Sequence, residues 1–182
     1  ISTEPSGGTL ASCNRNLALE MVRVTESAAV AAARWLGKGD KIAADGAAVR
    51  AMRQALMHVE FSGRVVIGEG EKDNAPMLHN GEVVGTGVEP VAEIAVDPID
   101  GTTNFCHSMP LSAVSIGVAY QGKIQVGVIM DPFAGEIFSS SLGGGAYVNF
   151  AQLKVGSEET LQEAVVCTGY GASDESASMM LL

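Results

Sequence analysis

The sequence predicts an α/β chain from three observations. Two apolar stripes with helical spacing occupy the first third, short β-branched runs dominate afterwards, and acidic residues cluster where two of those runs end. At 182 residues with 47% apolar content, the chain is long enough for one domain with a substantial core.

The first thirteen residues, rich in Ser, Thr, Gly and Pro, read as a flexible lead with no packing face. Asn14 or Asn16 is then expected to cap a long helix. In it Leu17, Met21, Val24, Ala28, Ala31 and Trp35 recur at helical spacing, and Gly37 and Gly39 stop it. A second helix is expected after Asp45, with Val49, Met52, Leu56 and Val59 on one face. Ser62 and Gly63 read as a turn, and residues 65–67 as a buried strand that delivers Gly68-Glu69-Gly70-Glu71 at its end. A loop follows to about residue 90, with a hairpin at Asn80-Gly81. Residues 94–96 are the next strand. An antiparallel meander is expected over residues 113–120, 124–129, 137–138 and 146–148, with a last strand at 164–168 and a short helical stretch after it.

Composition excludes several function classes. A net charge of −10 and a pI near 4.6 disfavour nucleic acid or an anionic membrane as partner, since polyanions require a basic surface. An acidic protein that handles phosphates needs positive charge supplied locally, and divalent cations are the obvious source. No apolar run approaches the roughly 18 residues of a membrane span, and the N-terminal residues lack the basic-then-apolar order of a signal peptide. Cys13, Cys106 and Cys167 are widely spaced and odd in number, which indicates neither a disulfide framework nor a zinc site and favours a reducing compartment. Gly143-Gly144-Gly145 lacks a following Lys-Ser/Thr and reads as a hairpin turn rather than a phosphate loop. His58, His79 and His107 have no mutual metal-ligand spacing.

The stretch with most chemistry is Asp97-Pro98-Ile99-Asp100-Gly101-Thr102-Thr103-Asn104-Phe105. Two carboxylates three residues apart on a tight turn, with the Ile99 carbonyl between them, offer hard oxygen donors to a divalent cation. Asp100 is expected to cap a short helix, leaving the N–H groups of Gly101, Thr102 and Thr103 to face an anion. Taken alone, such a stretch is also an ordinary loop composition. Glu69, Asp97 and Asp100 would converge if the strands they follow are neighbours, because open α/β sheets place ligands at strand carboxyl ends. All-oxygen ligation suits Mg²⁺ or Mn²⁺.

From about residue 15 to residue 102 the chain resembles class II fructose-1,6-bisphosphatase. The resemblance is carried by Arg23-Val24-Thr25-Glu26-Ser27-Ala28-Ala29, Gly39-Asp40-Lys41, Ala44-Asp45-Gly46-Ala47-Ala48-Val49, Val66-Ile67-Gly68-Glu69-Gly70-Glu71 and Ala75-Pro76-Met77-Leu78. From residue 97 onward it resembles the inositol-monophosphatase family, through Asp97 to Phe105, Ala113-Val114-Ser115-Ile116-Gly117 and Gly144-Gly145-Ala146-Tyr147-Val148-Asn149. Both families share a layered, lithium-sensitive sugar-phosphatase fold, so the resemblance implies an α+β layered sandwich. The resemblance implies that Glu69, Asp97, Asp100 and the Ile99 carbonyl are metal ligands, that Asp45 binds metal or orients the catalytic threonine, that Thr102 helps activate the attacking water, and that Asp73 assists it. It implies Mg²⁺, with Mn²⁺ possible, and a small sugar-phosphate substrate. Fructose-1,6-bisphosphate is the first choice, and inositol or a related polyol monophosphate the alternative. A non-catalytic metal-binding fragment or hybrid is a reading of another class.

Two departures stand out. Class II enzymes usually carry Glu at the position of Asp100, and nothing after Leu153 matches the C-terminal portion of either family. The expected organisation is therefore a lead over residues 1–13 and a sugar-phosphatase-like domain over 14–182, incomplete at its C-terminus. An unpaired sheet edge and an uncovered apolar face would follow, favouring a homo-oligomer. The cytoplasm is the expected compartment, with plastid stroma as the other reading.

Overall fold

The computed structural model describes residues 8–68 and 77–165, with side chains from Asn16 onward. Two helices, α1 (Gly8–Ala33) and α2 (Lys41–Leu56), cover one face of an eight-stranded sheet. The strands are β1 (Ser62–Ile67), β2 (Val83–Val84), β3 (Val91–Asp100), β4 (Ala113–Tyr120), β5 (Lys123–Asp131), β6 (Glu136–Ser141), β7 (Gly145–Val148) and β8 (Ala151–Gln152), in the order β2-β1-β3-β4-β5-β6-β7-β8. A five-residue helix, α3 (Thr102–Cys106), follows β3.

α1 forms because its apolar residues recur on one side, and Leu17, Met21, Val24, Ala28 and Ala32 are buried against β3 to β6. Ala28, Ala29 and Ala32 of α1 and Ala44 and Ala48 of α2 are buried as well, so the helix pair packs through small residues. In β4 the alternation is strict: Val114, Ile116 and Val118 are buried, whereas Ser115, Gly117 and Ala119 are half-buried. Each fully buried Val, Ile or Met in this layer contributes roughly 1.5–3 kcal/mol. The opposite face is open, with Val66, Ile67 and Ile129 exposed.

Several boundaries differ from the sequence reading. α1 begins at Gly8, so residues 8–13 of the expected lead are helical and neither Asn14 nor Asn16 is its cap. α2 begins at Lys41 because Asp40 caps it, its Oδ1 accepting from Ala43 N at 3.0 Å, which places Asp45 inside the helix rather than before it. Ser62 and Gly63 are not a turn but the start of β1, where Ser62 pairs with Val91 and Gly63 with Ala92. The meander and the hairpin turn at residues 143–145 form as expected between β4 and β7. Residues 164 and 165 have no regular structure, and the remainder of the expected last strand and helix lies outside the described residues.

Two features of the sheet position the site. β1 and β3 are adjacent and parallel, the one parallel pair among the described residues, with Ile67 opposite Ala95, so the end of β1 arrives beside Asp97. β3 also continues through Asp100, which pairs with Ala113, while Asp97 pairs with Ser115. The extra residue on β3 is a bulge that accommodates Pro98, which has no N–H to give to a ladder. Asp97 to Asp100 is thus a bulged strand end and not a tight turn.

Candidate active site

Gly101 follows the bulge in a left-handed conformation, φ 71° and ψ 34°, and serves as N-cap of α3. Asp100 was expected in that role, but its pairing with Ala113 holds it in the strand. α3 is seated by Phe105 and Cys106, both buried, and Phe105 meets Phe133 edge-on at 5.7 Å. Gly39 N donates to Cys106 O at 3.2 Å, tying the start of α2 to α3. Asn104 braces the following loop, its Nδ2 donating to Leu111 O at 2.9 Å.

These elements enclose a cavity of about 460 Å³ at the carboxyl ends of β1 and β3. Asp45 from α2, Asp97, Ile99 and Asp100 from the bulge, and Gly101, Thr102 and Thr103 from the start of α3 all line it. Gly68, which follows the last residue of β1, lines it too. Glu69 and Asp73 themselves lie outside the described residues. A larger cavity of about 700 Å³, between α1 and the β6–β7 hairpin, has no carboxylate, histidine or cation among its lining residues.

Sequence reasoning missed Lys41, which lines the same cavity. Its signal was its position four residues ahead of Asp45, which places both on one side of a helix. Lys41 brings a cation to a cavity whose other charged lining residues are Asp45, Asp97 and Asp100.

The electrostatics are those of crowded acids. Burial and then the neighbouring Asp100 push the Asp97 carboxyl above its usual value; the Ile99 N–H opposes this, and Asp45 adds to it. Asp97 Oδ1 accepts from Ile99 N at 3.2 Å, which orients the carboxylate across the bulge. Burial first, then Asp40, raises the Cys106 thiol, while Lys41 opposes the shift. Cys106 is therefore a packed thiol and not an activated nucleophile.

Thr102 is buried, and its Oγ1 donates to Ile99 O at 2.9 Å. A carbonyl can only accept, so the hydroxyl proton is committed there and the oxygen lone pairs remain as acceptors. In this arrangement Thr102 can take a hydrogen bond from a water and orient it. The Ile99 carbonyl keeps a second lone pair.

The donor set in the cavity is carboxylate and carbonyl oxygen, which fits a hard divalent cation. Among the described residues, however, no three His, Cys, Asp or Glu side chains are close enough to hold a metal ion, so Asp45, Asp97 and Asp100 share a cavity without forming a closed cage. No helix among the described residues is long and apolar enough to cross a membrane.

Fructose-1,6-bisphosphatase 1 class 2 of Escherichia coli (strain K12) is 55% identical over 105 residues, which is 57% of this chain and 31% of that protein. The class 2 enzyme of Shigella flexneri matches equally. The chain thus spans about a third of the length of these curated relatives, 31% in each case. Among solved structures, the extragenic suppressor protein suhB from Bartonella henselae superposes with a TM-score of 0.63 at 29% identity, covering 81% of this chain and 57% of that one. Inositol monophosphatase from Anabaena (Nostoc) sp. PCC 7120 gives a TM-score of 0.56 at 26% identity, over 79% and 51% of the two chains. The fold is therefore that of the inositol-monophosphatase-like sugar phosphatases. The family model for bacterial fructose-1,6-bisphosphatase, glpX-encoded, matches residues 15–131, from the middle of α1 through the acidic bulge to the end of β5, and the chain belongs to that family.

Proposed function

We propose that this chain carries the phosphate-hydrolysing site of a Mg²⁺-dependent sugar phosphatase, with fructose-1,6-bisphosphate as substrate and release of its 1-phosphate. The observation that carries the reading is the joint lining of one cavity by Asp45, Asp97, Asp100, Thr102 and Lys41, drawn from two helices and a strand end.

Asp97, Asp100 and the Ile99 carbonyl would hold the cation, with Mn²⁺ as the alternative ion, Asp45 near them and Glu69 delivered from the end of β1. A divalent cation bound here supplies Lewis acidity and a water of lowered pKa. Thr102 accepts a hydrogen bond from the attacking water and orients it for in-line displacement. Asp45 or Asp73 stands as the acid that assists it. The N–H groups of Gly101, Thr102 and Thr103, at the start of a helix where no intrahelical carbonyl serves them, face the phosphate oxygens together with the Lys41 ammonium.

A second substrate reading is inositol or a related polyol monophosphate, favoured by the likeness to the Anabaena inositol monophosphatase structure. The test is phosphate release from fructose-1,6-bisphosphate and from inositol-1-phosphate, each with and without Mg²⁺. Metal-dependent release from the first supports the proposal, and release only from the second replaces the substrate. Cation binding with no turnover on either leaves a metal-binding fragment. The reading extends to a cytoplasmic setting and to self-association through the open sheet face, which a monodisperse monomer in light scattering would refute.

A further inference from the structure

The connection between β1 and β2 departs at Gly68, on the cavity rim, and rejoins the described chain at Met77. The two ends of this connection are pinned together. Gly68 N donates to Asn80 Oδ1 at 3.0 Å. A Cβ on Gly68 would come within 2.0 Å of Leu78 O, so the two segments touch backbone to backbone. Below them Gly81 N donates to Val65 O at 2.8 Å, and Val65 N to Glu82 O at 2.9 Å.

Glu82 joins this neck to the helix layer. Its side chain is only 9% exposed. One oxygen accepts from Arg53 Nε at 2.6 Å, and the other accepts from Leu78 N, with His79 Nδ1 3.4 Å away. Arg53 lies on α2 about two turns beyond Asp45, the helix that forms the opposite wall of the cavity. Neither Arg53 nor Glu82 lines the cavity itself.

Burying an ion pair is weak evidence for stability, because apolar packing of the same volume often does as well. A carboxylate that satisfies a helix-borne guanidinium and a loop amide together does something apolar packing cannot, which is to fix the distance between two separate segments. Here one segment, α2, carries Asp45, and the other packs on Gly68 at the end of β1, which is laddered to β3 and so to Asp97 and Asp100. We propose that Glu82 is a positioning residue. Through Arg53 and Leu78 it sets the separation between the Gly68 rim and the Asp45-bearing helix, and hence the spacing of the oxygen donors offered to a divalent cation. This rests on the metal-site reading above and adds to it the device that keeps the site open to the right width.

The test uses the full chain and Glu82→Gln, which keeps shape and removes charge, with Arg53→Lys as a second variant that keeps charge but lacks the planar fork. Mn²⁺ affinity is measured by titration, and amide hydrogen exchange at Leu78 and Gly68 is followed without metal. Glu82→Gln is expected to weaken Mn²⁺ binding about tenfold or more and to speed exchange at both amides, with Arg53→Lys showing a smaller loss of the same kind. Mn²⁺ affinity within about twofold of the parent in the folded variants would overturn the proposal and leave a merely structural pair. If Glu82→Gln does not fold, Arg53→Lys decides by the same criterion. A parent chain that binds no Mn²⁺ would overturn both the metal-site reading and this one, whereas parent binding with unaffected variants overturns only the role of Glu82.

Discussion

Replacing Gly101 by Ala tests the junction of bulge and α3 with two energy terms that can be worked separately. Gly101 has φ 71°, a region in which an L-residue costs roughly 1–2 kcal/mol. An added Cβ would also lie 2.5 Å from Leu111 O, a backbone atom that must give way. That carbonyl is held by Asn104 Nδ2 at 2.9 Å, so moving it strains a hydrogen bond with a net contribution of about 1 kcal/mol. The sum is about 2–3 kcal/mol, which for a domain of this size lowers Tm by roughly 4–12 °C. Two other glycines separate the terms. Gly39, at φ 71°, would meet nothing within 4 Å, so Gly39→Ala isolates the conformational term and should cost about 1–2 kcal/mol. Gly117 has neither positive φ nor a neighbour within 4 Å, and Ala there should be neutral or slightly stabilising. The assay is thermal unfolding by circular dichroism on the three variants beside the parent. If Gly101→Ala unfolds no earlier than Gly39→Ala, the close approach of residues 101 and 111 is not an obstacle and this account of the junction is wrong. Because Asp100 and Thr102 flank Gly101, phosphate release should fall with it.

Other perturbations address the acids and their partners. The Asp97 carboxyl is raised in the folded protein by burial and by Asp100 and Asp45, against the Ile99 amide, so its contribution to metal-free stability is present while it is protonated and declines as pH rises through that raised value. Asp97→Asn should remove this part of the pH dependence and, without metal, stabilise the fold at neutral pH; denaturant titrations at several pH values in chelator will read it. The same variant should lose metal-dependent phosphate release by about 100-fold or more, and retained activity would remove Asp97 from the site. Thr102→Val should cost about 1 kcal/mol by leaving Ile99 O without its donor and should abolish turnover, whereas Thr102→Ser should keep most of both in paired denaturation and phosphate assays. Lys41→Gln should lower kcat/KM by about 10- to 100-fold with little change in Tm, and an unchanged kcat/KM would show that the ammonium does not reach the phosphate.

Much of the architecture can be read locally because it is local. The stripe on α1, the alternation in β4 and the hairpin at residues 143–145 are each encoded within one element, where periodicity or turn chemistry reports which side faces the core. The same holds for Asp97 to Thr103, whose residue types name their chemistry before any neighbour is known. Boundaries were less legible where two signals competed. Asp40 and Asp45 could each begin α2, and the hydrogen bond to Ala43 decides for Asp40. Asp100 could cap α3, and pairing with β4 keeps it in the strand.

From its residues alone, then, this chain is a helix-then-sheet protein with an oxygen-rich acidic motif suited to a divalent cation. Tertiary structure alone decides that β1 lies parallel to β3, so that Gly68 and the Asp97 bulge meet at one cavity. It also brings Lys41 and Asp45 to that cavity from another layer and sets Glu82 against Arg53, 29 positions away. The physical reason is range: periodicity reports which face of an element is apolar, whereas strand neighbours and cross-layer ion pairs arise only when distant segments bury those faces against each other.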